Sequence, residues 1–98
     1  MDLPTGFDPI LHPPARLQIA AVLANVSDAE FAKLRELVGI SDSVLSKHLA
    51  VLAEAGHISL RKAASDGRQR TWAALTRTGR AAFKRHVAAL HAIVAGAA

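Results

Sequence analysis

Between Phe31 and Gly79 the chain places an apolar-periodic segment, a glycine, a serine-capped segment, a second glycine, two β-type runs about a turn and a threonine cap, an order that few folds accommodate. Gly39 ends the first segment, Ile40 fills the turn, and Ser41 is a good N-cap for a helix running to about Ala55 and closed by Gly56. Val44, Leu45, His48, Leu49 and Leu52 recur at helical spacing as a core stripe, with Asp42, Ser43, Ser46, Lys47 and Ala50 on the other face. That outer face has little bulk, so it can approach another surface closely.

The flanking segments extend the pattern. Ser27-Asp28-Ala29-Glu30 has capping-box spacing, with Val26 and Phe31 as its hydrophobic staple, and predicts a helix from about Asp28 to Val38. Its inward residues are Phe31, Leu34, Leu37 and Val38. Ahead of it, Pro13-Pro14 suits the first turn of a helix capped by His12 and running from Ala15 to Asn25. Residues 1–9, with Pro4, Gly6 and Pro9, read as an irregular arm, and residues 10–98 as one domain.

After Gly56, His57 to Lys62 alternates as a strand, Ser65-Asp66-Gly67 signals a turn, and Thr71 to Leu75 is the return strand. Thr76 caps a last helix from Arg77 to about Ala95, in which Phe83, Val87, Leu90 and Val94 form a packing seam. The expected fold is mainly α with a small β-hairpin (α+β), in the order α-α-α-β-β-α.

Charge is distributed unevenly. Residues 1–60 carry four basic and seven acidic side chains, whereas residues 61–98 carry eight basic ones and only Asp66. Such a basic half favours a polyanionic partner, the alternative being a solvated basic face. Reading B-DNA requires a slim helix with polar groups near its N-terminal end; the 42–55 segment is roughly 21 Å long at 1.5 Å per residue. Ser43, Ser46 and Lys47 are the candidate base readers. Asp42 either stabilises the helix dipole or accepts from cytosine. Arg61, Lys62, Arg68, Gln69 and Arg70 are the candidate hairpin contacts to phosphate or the minor groove, Arg68 and Arg70 foremost.

With those residues in view, Gly39 through Ile58 resembles the recognition-helix segment of winged helix-turn-helix regulators of the ArsR and MarR type. Leu75-Thr76-Arg77-Thr78-Gly79-Arg80 resembles the junction after their wing, and Leu11 to Leu23 their first helix, so the likeness spans about residues 10–95. It implies a homodimeric transcriptional regulator, usually a repressor, bound to double-stranded DNA and joined through its first and last helices. Leu11, Leu17, Phe83, Val87, Leu90 and Val94 are the expected interface. It also implies a very short strand near Ala29 to Phe31, in competition with the capping box. A small-molecule effector of unassigned identity is a further candidate partner. ArsR-type cysteine ligands are missing, and His86 and His91 are badly spaced for one helix face, so no metal and no cofactor is expected.

Other classes find little footing. No Gly-rich phosphate loop, nucleophile motif or HExxH is present, so no catalytic residue and no enzyme is expected. The absence of cysteine and of a signal-like N-terminus fits a cytoplasmic protein, and the apolar 87–98 stretch is too short for a bilayer needing about 20 residues. Trp72 has three readings: packing against the last helix, lining a ligand cleft, or touching a partner. His48 reads as a buried hydrogen-bonding histidine or a phosphate contact. The rival functions are a protein-interaction module and a small-molecule sensor or enzyme using a dimer cleft near Trp72.

Overall fold

The computed structural model describes residues 2–96 as four helices and a three-stranded antiparallel sheet: α1 (Pro14–Leu23), β1 (Ala29–Glu30), α2 (Phe31–Val38), α3 (Asp42–Glu54), β2 (Ile58–Ser65), β3 (Arg68–Leu75) and α4 (Arg77–Val94). The last two residues assigned to the domain lie outside this range.

Proline chemistry sets the first helix. Pro13 is extended (φ −55°, ψ 137°) because the following Pro14 excludes it from the helical region, and its carbonyl accepts from the Leu17 amide at 2.9 Å. The cap is therefore Pro13, not His12.

The capping box expected at Ser27 does not form. Residues 29–30 are extended and pair with β3 in the register Ala29↔Ala73 and Glu30↔Trp72. Glu30 occupies the α2 cap position without a side-chain cap bond, since its carboxylate accepts from Arg70 Nη1 at 2.6 Å. Sheet pairing thus displaces local capping and confirms the short strand. Leu37 is also misassigned by periodicity: it is 55% exposed, because α2 has only two turns and buries Leu34 alone.

The hairpin is longer than its alternating core suggests. Asp66 (φ 54°) and Gly67 (φ 74°) supply the two positive φ values of a two-residue turn, so pairing continues to Ser65↔Arg68. Its outer half bears no apolar period because nothing covers it. Sheet order is β1-β3-β2, and Ala29, Ile58, Ala73 and Leu75 pack into one core with Leu11, Ile19, Leu23, Leu34, Leu45, Leu49 and Leu52. Arg61, opposite Trp72 in the register, stacks 5.6 Å from its ring centroid.

Thr76 caps α4 as expected, its Oγ1 accepting from the Gly79 amide at 2.9 Å. The helix buries Gly79, Ala82, His86 and Ala89. Residues 2–9 form no helix or strand, yet they are fastened to the domain. The Asp8 amide donates to His86 Nδ1 at 2.9 Å, and the Asp8 carboxylate lies 2.9 Å from His57 Nε2. Phe7, His12 and His86 meet ring to ring at 4.8–5.5 Å.

Candidate nucleic-acid interface

Ser41 starts α3 by accepting from the Val44 amide at 3.3 Å, and Gly39, in the left-handed region at φ 75°, ends α2. The turn between them presents α3 with Asp42, Ser43, Ser46, Lys47 and Ala50 all exposed. These five share the face that helical spacing predicts for them. Val44 does not belong to the core stripe: it is 41% exposed, at the edge of that face.

Asp42 is committed within the protein. Its carboxylate accepts from Arg35 Nη1 at 2.7 Å, tying α3 back to α2 while it sits in the first turn of α3. Ser43, Ser46 and Lys47 make no ion pair among the described residues and remain the polar groups of the face.

The hairpin cations divide into two sets. Arg61 pairs with Asp28 at 2.6 Å and Arg70 with Glu30 at 2.6 Å; Arg70 Nε also donates to the Ser65 carbonyl at 3.4 Å. Glu30 of β1 and Asp28 just before it thus hold two arginines against the middle and base of the wing. Lys62, Arg68 and Gln69 are exposed, and among the described residues neither cation has a carboxylate partner. Arg68, beside the turn, stands exposed, whereas Arg70 is half-buried and braced. No local pattern signals this split, because Asp28 and Glu30 are distant in the chain.

Between α3 and the wing lies a notch of about 190 Å³ lined by Phe31, Ser46, Leu49, Ala50, Leu60 and Thr71. The helix face and hairpin therefore border one concave surface, with Ser46 and Ala50 on one wall. Trp72 lies elsewhere, lining a cavity of about 390 Å³ with residues of α1, β1 and α2, including Val22, Ala29, Lys33 and Leu37. Arg61 lies over the Trp72 ring, and the lining of that depression includes no α4 residue. Trp72 Nε1 is buried without a hydrogen-bond partner.

On α4, Phe83, Val87 and Leu90 are half-buried and Val94 is 86% exposed, so the seam is incompletely covered by its own chain. Leu17 is half-buried. Leu11 is fully buried in the core, which removes it from the expected interface set. No described helix is long and apolar enough to cross a membrane.

A model of the winged helix DNA-binding domain matches residues 15–94. The uncharacterized protein MJ0432 of Methanocaldococcus jannaschii is 33% identical over 78 residues, covering 80% of this chain and 85% of that one. Among solved structures, a transcriptional regulator homologue from Pyrococcus horikoshii superposes with a TM-score of 0.84 at 30% identity, covering 89% of this chain and 86% of that one. The transcriptional repressor BigR from Xylella fastidiosa gives a TM-score of 0.68 at 26% identity, with 86% and 78% covered. Capped α3, a three-stranded sheet ending in a basic wing and a match spanning α1 to α4 agree: the chain belongs to the winged helix DNA-binding domain family and resembles MarR-like transcriptional regulators.

Proposed function

We propose that this protein is a homodimeric, sequence-specific transcriptional repressor acting in the cytoplasm. Two copies of α3 would enter successive major grooves of a roughly palindromic operator, about 34 Å apart. The observation that carries this reading is the exposed Ser43, Ser46, Lys47 and Ala50 face together with the exposed wing cations Lys62 and Arg68. Serine hydroxyls and Lys47 supply hydrogen bonds to base edges, while Arg68 and Lys62 supply phosphate contacts that add affinity with little sequence information. Repression, by occluding polymerase, is supported by likeness to a protein described as a repressor. The half-covered α4 seam supports dimerisation through that helix, and half-buried Leu17 of α1 is a second candidate contact.

The test is fluorescence anisotropy of the full chain against DNA from upstream of its own gene and against a scrambled duplex. Tighter binding to the upstream DNA at physiological salt is expected. Equal affinity for both would overturn the specific-regulator reading, and failure to bind either would favour a protein-interaction module.

A further inference from the structure

The wing serves only one flank of α3. At about 100° per residue, Ser43 and Lys47 point along the reading face while Ser46 and Leu49 turn toward one side. There Leu60 and Thr71 of the hairpin close the notch with them. Val44 and His48 turn toward the opposite flank, where α1 supplies Arg16.

Arg16 Nη1 lies 3.3 Å from His48 Nδ1, and Arg16 Nε donates to the Ile10 carbonyl at 2.6 Å. A guanidinium has no acceptor and keeps its charge, so Nδ1 must accept and the neutral ring carries its proton on Nε2. Burial, reinforced by Arg16, holds His48 below the usual imidazole range. The pair thus carries one positive charge at neutral pH. Both side chains are half-buried, and among the described residues no carboxylate pairs with Arg16. The guanidinium retains unused N–H groups, and His48 retains the Nε2 donor.

An α-helix with its side chains is about 10–12 Å across and the major groove about 12 Å wide, so a helix seated there sets each flank against one sugar-phosphate wall. We propose that Arg16 and His48 form a second phosphate-binding site, engaging the DNA strand across the major groove from the strand met by the wing. The proposal rests on the DNA-reading role of α3. Arg16 is already tethered at two nitrogens, so it loses little side-chain freedom on taking a phosphate oxygen.

Anisotropy titrations of the full chain with a labelled mixed-sequence duplex across a range of KCl concentrations test the site. Arg16→Gln should reduce the log-log salt slope by about 0.9 for each phosphate it ceases to neutralise, and Arg16→Lys should keep the slope near wild type. Lys84→Gln, which removes an exposed α4 cation, should leave it unchanged. A folded Arg16→Gln protein with the wild-type slope overturns the site while the DNA-binding reading stands. An equal reduction in Lys84→Gln also overturns it, since net charge alone would then explain the effect. Wild-type protein that binds no duplex overturns both readings. Phosphate-ethylation interference with the wild-type chain on its upstream DNA is independent of any variant's folding: interference on both walls of the groove is expected, and interference confined to the wing side would refute the proposal.

Discussion

The His57 carbonyl oxygen sits directly against Gly79: a Cβ built on Gly79 would lie 1.8 Å from it and 2.6 Å from its carbon. The same oxygen accepts from the Thr76 amide at 3.0 Å, so the end of α3, the start of β2 and the first turn of α4 meet at one peptide. Thr76 and Thr78 hydroxyls both donate to the neighbouring Gly56 carbonyl, at 2.6 and 3.1 Å. Gly79→Ala must push this backbone apart. It should destabilise the domain by about 3 kcal/mol, at the upper end of overpacking costs, and lower the urea midpoint accordingly. A midpoint within error of wild type would mean that α4 can move away freely.

This junction also illustrates how far the sequence can be read. Leu75 to Gly79 is visible as a motif because a β-run, a Thr cap and a glycine follow one another locally. What the glycine touches, far upstream at His57, is not visible. The same boundary separates success from failure elsewhere. The face of α3 follows from helical period and a local cap, so its exposed polar residues are legible, Val44 at its edge being the exception. Glu30 pairing with Arg70 and Asp28 with Arg61 depend on a sheet that brings distant segments together, so the wing cations look equivalent in sequence and are not in structure. Arg16 beside His48 and Asp8 beside His57 and His86 are hidden for the same reason.

The braced and free wing arginines should separate in experiment. Arg68→Gln removes an exposed cation and should lower the log-log salt slope of DNA binding by about 0.9 for each phosphate left without its cation, with melting unchanged. Arg70→Gln leaves the half-buried Glu30 carboxylate without its partner, so its main effect should be a drop in stability of about 1 kcal/mol with a smaller change in slope. Parallel melts and salt titrations decide this. Identical behaviour of the two variants would show that the Glu30 pair does not persist in solution.

Stability should fall on mild acidification. Fully buried His86 accepts from the Asp8 amide, so the folded protein holds its ring neutral. Burial and then nearby His12 lower its pKa, with Asp8 opposing them; burial and Arg16 lower that of His48. Because both bind protons more readily when unfolded, their contribution is complete above the unfolded value of about 6.5 and is lost as pH falls through the lower folded values. The urea midpoint should therefore drop between about pH 7 and about pH 5, above the ordinary carboxylate range. His86→Gln should show a shallower drop. A midpoint that rises over this window would reverse the assigned direction.

Association of two copies should run through α4. Val94 is 86% exposed on the side of the helix that carries Phe83, Val87 and Leu90, so its own chain gives it almost no cover. Burial of a valine side chain is worth about 1.5 kcal/mol, and a two-fold contact buries it twice, giving about 3 kcal/mol. Val94→Glu should consequently raise the dimer dissociation constant by at least about 100-fold, while leaving the monomer's melting unchanged because the residue lies outside the core. Sedimentation velocity over a concentration series measures the shift. If dimers persist unchanged in Val94→Glu, the C-terminal turn of α4 is not at the subunit contact, and the proposed dimer must form through some other surface.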